Sequence, residues 1–233
     1  ALTSHKFWPF WGYKNTSKYN QSLLDGHLLS ISNLKHRNWT ELSQGNSPYT
    51  GIIDPIGNLN IAGFPFSIEG WILNNNMLYK TTMNHSISQT LDPSIQAIDT
   101  TVTFKDFNFK TTYFLSSNTN QNDFVFGKFN VTNTTEKPLD LSIFLVIRPY
   151  DIEGVTSISS LHYLQKNLFL INKKYSVCLD DKPNNIICLP FKDGDFKDHL
   201  TKLQMIFSAN CTIGKASGLV EYKFNIDPKE SKG

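Results

Sequence analysis

The chain has 233 residues, 39% of them hydrophobic and 13% aromatic, enough for a sizeable core in which roughly 70–75% of the unfolded surface is buried. Its 22 Lys+Arg against 20 Asp+Glu leave a formal net charge of +2 with no block of like charge, which argues against nucleic acid and anionic membrane as partners. Charged residues make up only 18%, and the abundance of Asn (23 residues), Ser and Thr favours turns and strands over helix interiors.

The chain starts Ala1-Leu-Thr-Ser-His-Lys6, without the charged-then-apolar pattern of a signal peptide, and leaves the compartment open. It continues into Lys6-Phe-Trp-Pro-Phe-Trp-Gly-Tyr13, the densest aromatic stretch of the sequence. Trp8 and Trp11 are candidates for stacking on sugar rings or for contact with a neighbouring domain, while burial in the chain's own core is the plainer reading. Ser17–Leu24 carries a weak helical pattern. From about residue 26 onward, short runs of β-branched and aromatic residues alternate with Asn, Gly, Asp and Pro.

Ser67–Asn74 and Met77–Thr82 flank an Asn cluster able to accept positive φ, which predicts a hairpin. Residues 95–104 and 107–115, joined by Lys105-Asp106, predict a second antiparallel ribbon. Phe124–Thr132 alternates, whereas Leu139–Arg148 ends almost continuously apolar, the pattern of a strand buried on both faces. Its apolar run Leu141-Ser-Ile-Phe-Leu-Val-Ile147 suits a strand and falls far short of the ~20 residues of a membrane-spanning helix. Further strands are expected at 158–164, 168–171, 175–179, 186–189 and 219–226, and a short helix at 196–203. No linker or repeat divides the chain, so 1–233 is expected to form one domain: all-β, a large antiparallel two-sheet supersandwich with one or two short helices. The charged, Pro-punctuated end Asp227–Gly233 is expected to lead into a longer protein.

The stretch Phe124–Asn172 carries an alternating strand, Asn133-Thr-Thr-Glu-Lys-Pro-Leu139, a strand ending Ile147-Arg-Pro-Tyr-Asp151, then Glu153-Gly-Val-Thr-Ser-Ile158 and a hairpin to Leu170-Ile-Asn172. This pattern resembles the N-terminal β-supersandwich, galactose-mutarotase-like in fold, of glucoamylase-, trehalase- and debranching-type glycoside hydrolases. Leu24–Ile31, Gly57–Asn60 and Gly70-Trp71 are compatible with its opening strands. The resemblance implies an accessory domain whose partners are a downstream helical catalytic domain of the same chain and carbohydrate, without catalytic residues or cofactor of its own.

The residues themselves admit a rival. Glycoside hydrolysis needs two carboxyls at ~5–10 Å, for which Glu69, Asp99, Asp151, Glu153 and Asp195 qualify by type. An aldose epimerase needs a His and a carboxylate converging on one sugar, for which His85, His162 and Glu69 are candidates. The alternative function is therefore a self-contained carbohydrate-binding or aldose-epimerase-like sandwich, with a structural surface domain as the bland third reading. Arg148, with Tyr150 and Asp151 beside it, is expected to hold the exit of a buried strand or to meet the neighbouring domain or a sugar.

Six histidines without H-x-x-x-H spacing and three cysteines without C-x-x-C give no metal site. Nucleotide-binding and serine-hydrolase motifs are missing as well. Cys178, Cys188 and Cys211 are expected to be reduced, with a Cys178–Cys188 pairing across a hairpin as the alternative. Seven N-x-[ST] sequons, at Asn15, Asn20, Asn38, Asn84, Asn130, Asn133 and Asn210, only modestly exceed the roughly four expected by chance.

Overall fold

The computed structural model describes residues 40–43, 47–80, 86–117, 123–151, 154–190, 200 and 205–233. In chain order the strands are β1 (Thr40–Ser43), β2 (Thr50–Ile53), β3 (Leu59–Ile61), β4 (Ser67–Asn74), β5 (Met77–Lys80), β6 (Ser86–Asp92) and β7 (Ala97–Thr103). Then follow β8 (Phe107–Ser117), β9 (Asp123–Asn133), β10 (Leu139–Arg148), β11 (Tyr150–Asp151), β12 (Gly154–Val155) and β13 (Ser160–Leu164). The last are β14 (Leu168–Ile171), β15 (Tyr175–Cys178), β16 (Asn185–Pro190), β17 (Ser208–Asn210), β18 (Ala216–Ile226) and β19 (Ser231–Lys232).

The fold is all-β, and no helix occurs among the described residues. Both segments expected to be helical, at 17–24 and 196–203, lie outside the described residues except Leu200, which sits in a turn. An eight-stranded sheet runs β1-β2-β3-β4-β10-β18-β16 with β5 added beside β4. Two smaller sheets run β19-β9-β8-β7-β6 and β15-β14-β13-β17, and β11 pairs with β12 alone. The chain divides into two compact units, whose described parts are residues 64–69 with 144–222, and 40–63 with 70–143 and 223–233.

In the second unit, the hairpin β4–β5 turns at Asn75 and Asn76, with φ of 49° and 60°. Both turn residues thus carry the positive φ of the tight hairpin geometry that asparagine tolerates best after glycine. The ribbon β7–β8 closes through Lys105-Asp106, with the Phe104 amide donating to the Phe107 carbonyl at 2.9 Å. Ile72, Leu141, Ile143 and Ile226 of the large sheet meet Val102, Phe104, Phe107, Phe109 and Val131 in one core cluster, which makes this unit a two-sheet sandwich. Strand β10 is buried over most of its length, as its continuous apolar run requires.

Strands β9 and β10 belong to different sheets, so the loop 134–138 is a crossover rather than a hairpin. Asn133 fixes it. Its Nδ2 donates to the carbonyls of Lys137 (2.7 Å), Ile226 (3.0 Å) and Asp227 (3.2 Å), and its Oδ1 accepts from the Thr135 amide (2.9 Å) and hydroxyl (2.8 Å).

A second buried loop, Asp54–Asn58, joins β2 to β3. The Asp54 carboxyl accepts from the amides of Ile56 (3.0 Å) and Asn58 (2.9 Å) and from Asn58 Nδ2 (3.0 Å). Gln89 Nε2 clasps the loop by donating to the Asp54 carbonyl and to Thr100 Oγ1, both at 2.9 Å, and the Tyr113 hydroxyl donates to the Gly57 carbonyl at 3.2 Å. Gly57 has φ +86°, and a Cβ there would lie 2.5 Å from Thr111 Oγ1 and 3.1 Å from Thr100 Cβ. Gly57→Ala is therefore expected to lower the unfolding free energy by about 2–3 kcal/mol, read as a lower urea midpoint with an unchanged slope. A shift below about 0.5 kcal/mol would mean that the loop lifts off the sheet without loss.

In the first unit, the four-stranded sheet lies on the large sheet with Leu161, Phe169 and Ile171 wholly buried. Gly218 of β18 makes this approach possible, because a Cβ there would sit 2.7 Å from Leu161 Cδ2 and 3.5 Å from Phe169 Cε1. The turns β13–β14 and β14–β15 place Lys166, Asn167, Asn172 and Lys173 at positive φ. Among the strands that escape the sequence pattern, β6, β17 and β19 do so for physical reasons. β6, Ser-Ile-Ser-Gln-Thr-Leu-Asp, is a mostly polar edge strand, while β17 and β19 have three and two residues and exist only through their partners.

Candidate functional site

Strand alternation builds a charged patch inside the large sheet. Ile72 of β4, Leu141 and Ile143 of β10 and Ile226 of β18 share one face, so period-two geometry turns Glu69, Arg148 and Glu221 to the other. The three strands are adjacent in the order β4-β10-β18. One face of these adjacent strands thus carries a guanidinium on the central strand and one carboxylate on each neighbouring strand. All three side chains are buried, at 2%, 0% and 2% exposure. Charges removed from water at a cost of several kcal/mol each persist only when paired and hydrogen-bonded, and the strand order puts opposite signs on one face of the sheet. Asn185, opposite Glu221 in the β16–β18 register, donates its Nδ2 to Glu221 Oε2. Ser217, on the same face of β18, is also fully buried.

Tyr150 follows on β11 and is buried, and Asp151 beside it is half-buried, paired with Gly154. Trp8 and Trp11, His85, Glu153 and Asp195 lie outside the described residues. Asp99 accepts from Thr112 Oγ1 at 2.5 Å and pairs with Lys110 at 2.7 Å, the salt bridge of a solvated sheet face. Glu221 was not a candidate from sequence. Its only signal there is a single acid in the apolar run Leu219-Val-Glu-Tyr222.

His162 and Glu69 do not converge. Leu161 faces Gly218, so its neighbour His162 points away from the large sheet, in register with Leu170 and Ser208. Glu69 lies on the opposite face of the large sheet. Two sheet layers, stacked ~10 Å apart, separate the pair.

The outer face of β8 and β9 carries the exposed aromatics of the second unit. Phe114 and Phe126, directly opposite in the register, stack at 5.1 Å between centroids and 10° between planes, and Phe124 joins at 5.9 Å. Phe124 and Phe126 are 50% and 40% exposed. The alternating pattern of Phe124–Thr132 places Phe124, Phe126 and Val131 near a core, and the structure corrects the first two. Val131 is in the core cluster as expected, and Phe129 rather than Phe124 or Phe126 packs beside it.

All three cysteines are free, and the alternative Cys178–Cys188 pairing is excluded by their places in different sheets, opposite Leu168 and Gly218. Burial pushes the Cys188 thiol up to about 12, so it stays protonated and inert. Among the described residues no three His, Cys, Asp or Glu side chains group as metal ligands.

The chain matches no protein-family model and no curated protein.

Proposed function

We propose that the chain is a non-catalytic accessory domain of a carbohydrate-active enzyme of the glycoside hydrolase type, packing against and positioning a downstream helical catalytic domain and contacting sugar. The observation that carries this reading is the exposed pair Phe124 and Phe126 with the half-buried Phe114 stacked on it, because flat aromatic faces suit both the apolar face of a pyranose and the apolar interface of a neighbouring domain. The resemblance of Phe124–Asn172 to the β-supersandwich of such hydrolases points the same way. Two further observations weigh against the epimerase-like alternative. His162 and Glu69 face away from each other across two sheets, and the carboxylates of Glu69 and Glu221 are buried at 2% exposure, out of reach of a sugar ring.

Two measurements test the reading. The chain and a version extended past Gly233 are to be assayed on α- and β-glycosides and on free aldoses, with activity expected only in the longer protein. Mutarotation of an aldose by residues 1–233 alone would replace the accessory reading by its rival. Affinity electrophoresis in soluble glucans is expected to show retardation that Phe124→Ala with Phe126→Ala weakens about tenfold, while stability changes little at such exposed positions. Equal mobility with and without glucan would remove sugar contact from the proposal and leave the interdomain role.

A further inference from the structure

Strand β6 ends the five-stranded sheet on the side away from β19. Its seven residues, Ser86–Asp92, make it the longest strand at the edge of any sheet among the described residues. One side of its backbone pairs with β7 in an unbroken register, from Ser86 opposite Thr103 to Asp92 opposite Ala97. The alternate N–H and C=O groups point the other way, where no described strand meets them. Folds blunt such an edge with lysine, proline, a bulge or a very short strand. β17 and β19 are short, and β16 is covered by Ile206, with Cys188 N donating to Ile206 O (2.8 Å) and Ile206 N to Ile186 O (2.9 Å). β6 has none of these devices, and its only charge is its last residue, Asp92.

The side chains of β6 carry a second signal. Ile87, Gln89 and Leu91 share the core-facing side, where Ile87 packs against the core cluster. Leu91 lies opposite the buried Ile98 and is nevertheless 62% exposed, an apolar side chain left bare at the rim of the sandwich. Gln89 is committed within its own chain, its Nε2 to the Asp54 carbonyl and Thr100 Oγ1 and its Oε1 accepting from Thr40 Oγ1. Ser88 and Thr90 stand exposed on the other side.

We propose that β6 is a docking edge for a second copy of this chain, the two β6 strands pairing antiparallel about a two-fold axis at Gln89. An axis normal to the sheet keeps every residue on its own face, so only residues of equal parity oppose each other, and an axis at Gln89 is the one that engages the whole strand. The sequence is self-complementary about that point. Ile87 meets the partner's Leu91, Ser88 meets the partner's Thr90, and Ser86 meets the partner's Asp92, so apolar faces apolar, hydroxyl faces hydroxyl and no like charges are opposed. Leu91 gains the apolar cover that its own chain does not give it, and the free backbone groups of both strands gain partners. A contact of one strand per chain falls below about 1,200 Å², in the range of weak interfaces, so the dimer is concentration-dependent.

The test uses the intact chain carrying Cys178→Ser, which removes the exposed native thiol, with either Ser88→Cys or Thr90→Cys added. Mixed under mild oxidation, the two variants are expected to cross-link about tenfold faster than either alone, because directly opposite Cβ atoms stand ~5 Å apart and the diagonal like pairs ~7–8 Å apart. Sedimentation of the chain without added cysteines is expected to show a dimer that Leu91→Lys weakens at least tenfold, with little change in the urea midpoint at so exposed a position. A chain that stays monomeric at about 0.5 mM would overturn the assignment. Equal cross-linking in mixed and single samples would do the same. So would a dimer broken by Phe124→Ala with Phe126→Ala and not by Leu91→Lys, which places the contact on the aromatic face instead. The outcome is independent of glucan retardation and of glycosidase assays.

Discussion

Asn133→Ala is expected to lower the unfolding free energy by about 3–5 kcal/mol. The residue is completely buried, and its amide serves the crossover loop and the end of β18 at once. Truncation leaves the Ile226 and Asp227 carbonyls without this donor and the Thr135 amide without its acceptor. Each buried polar group left unsatisfied costs about 1–3 kcal/mol. The Thr135 hydroxyl still reaches the Lys137 carbonyl at 2.9 Å, so that acceptor keeps a partner. The backbone contacts Asn133 N to Glu230 O (2.9 Å) and Thr134 N to Asp106 O (3.1 Å) are retained, which should leave the fold intact but weaker. Asn133→Asp is expected to be worse than alanine, because a carboxylate would then face three carbonyl oxygens. Urea unfolding measures both, and a loss under 1 kcal/mol for alanine would show that water replaces the amide. Asn133 also heads a sequon, and the same hydrogen bonds leave no room for a glycan on its nitrogen in the folded chain.

The second large effect is a pH dependence carried by Asp54. Burial pushes its carboxyl up to about 7, outweighing the hydrogen bonds from Asn58, Ile56 and Gly57 that pull it down. The folded state then holds a proton that the unfolded chain releases near pH 4, so stability falls as pH rises from about 4 to about 7 and is flat above. The shift corresponds to roughly 4 kcal/mol. Among the described residues the groups bonded to Asp54 and its loop are Asn58, Gln89, Thr111 and Tyr113, none of them oppositely charged. Asp54→Asn keeps an oxygen for the Ile56 and Asn58 amides. Its new NH2 can donate to Asn58 Oδ1, a buried acceptor without a partner, once that side-chain amide turns over. The variant is expected to match the wild type near pH 4 and to exceed it by a few kcal/mol at pH 8. Parallel stability curves for the two proteins between pH 4 and 8 would show that Asp54 is ionised throughout.

Much of the fold was legible where the signal is local. The Asn cluster at 74–76 announced the β4–β5 hairpin, since asparagine tolerates the positive φ that the tight turn demands. The apolar run of β10 announced burial on both faces, and the strands expected at 168–171, 175–179 and 186–189 differ from the observed ones by at most a residue at either end. β6 was illegible because Ile87 and Leu91 are its only apolar residues, too weak a signal to mark an edge strand. The outward turn of Phe124 and Phe126 was equally hidden. Alternation reveals that two positions share a face without saying which face meets the core; Val131 met it as expected, and Phe129 rather than Phe124 or Phe126 shares its side.

The candidate site divides in the same way. Arg148 stood out in sequence as a rare arginine ending a buried strand, and the fold buries it completely. Its carboxylate neighbours Glu69 and Glu221 come from strands far along the chain, and only the order β4-β10-β18 sets them on either side of it. By itself the sequence determined the all-β class, most turns and most strands, because φ preference and two-residue periodicity are properties of a few adjacent residues. The tertiary structure alone decided which strands became neighbours, which face was covered, and that His162 and Glu69 never meet, because strand order is fixed by packing between segments with no contact along the chain.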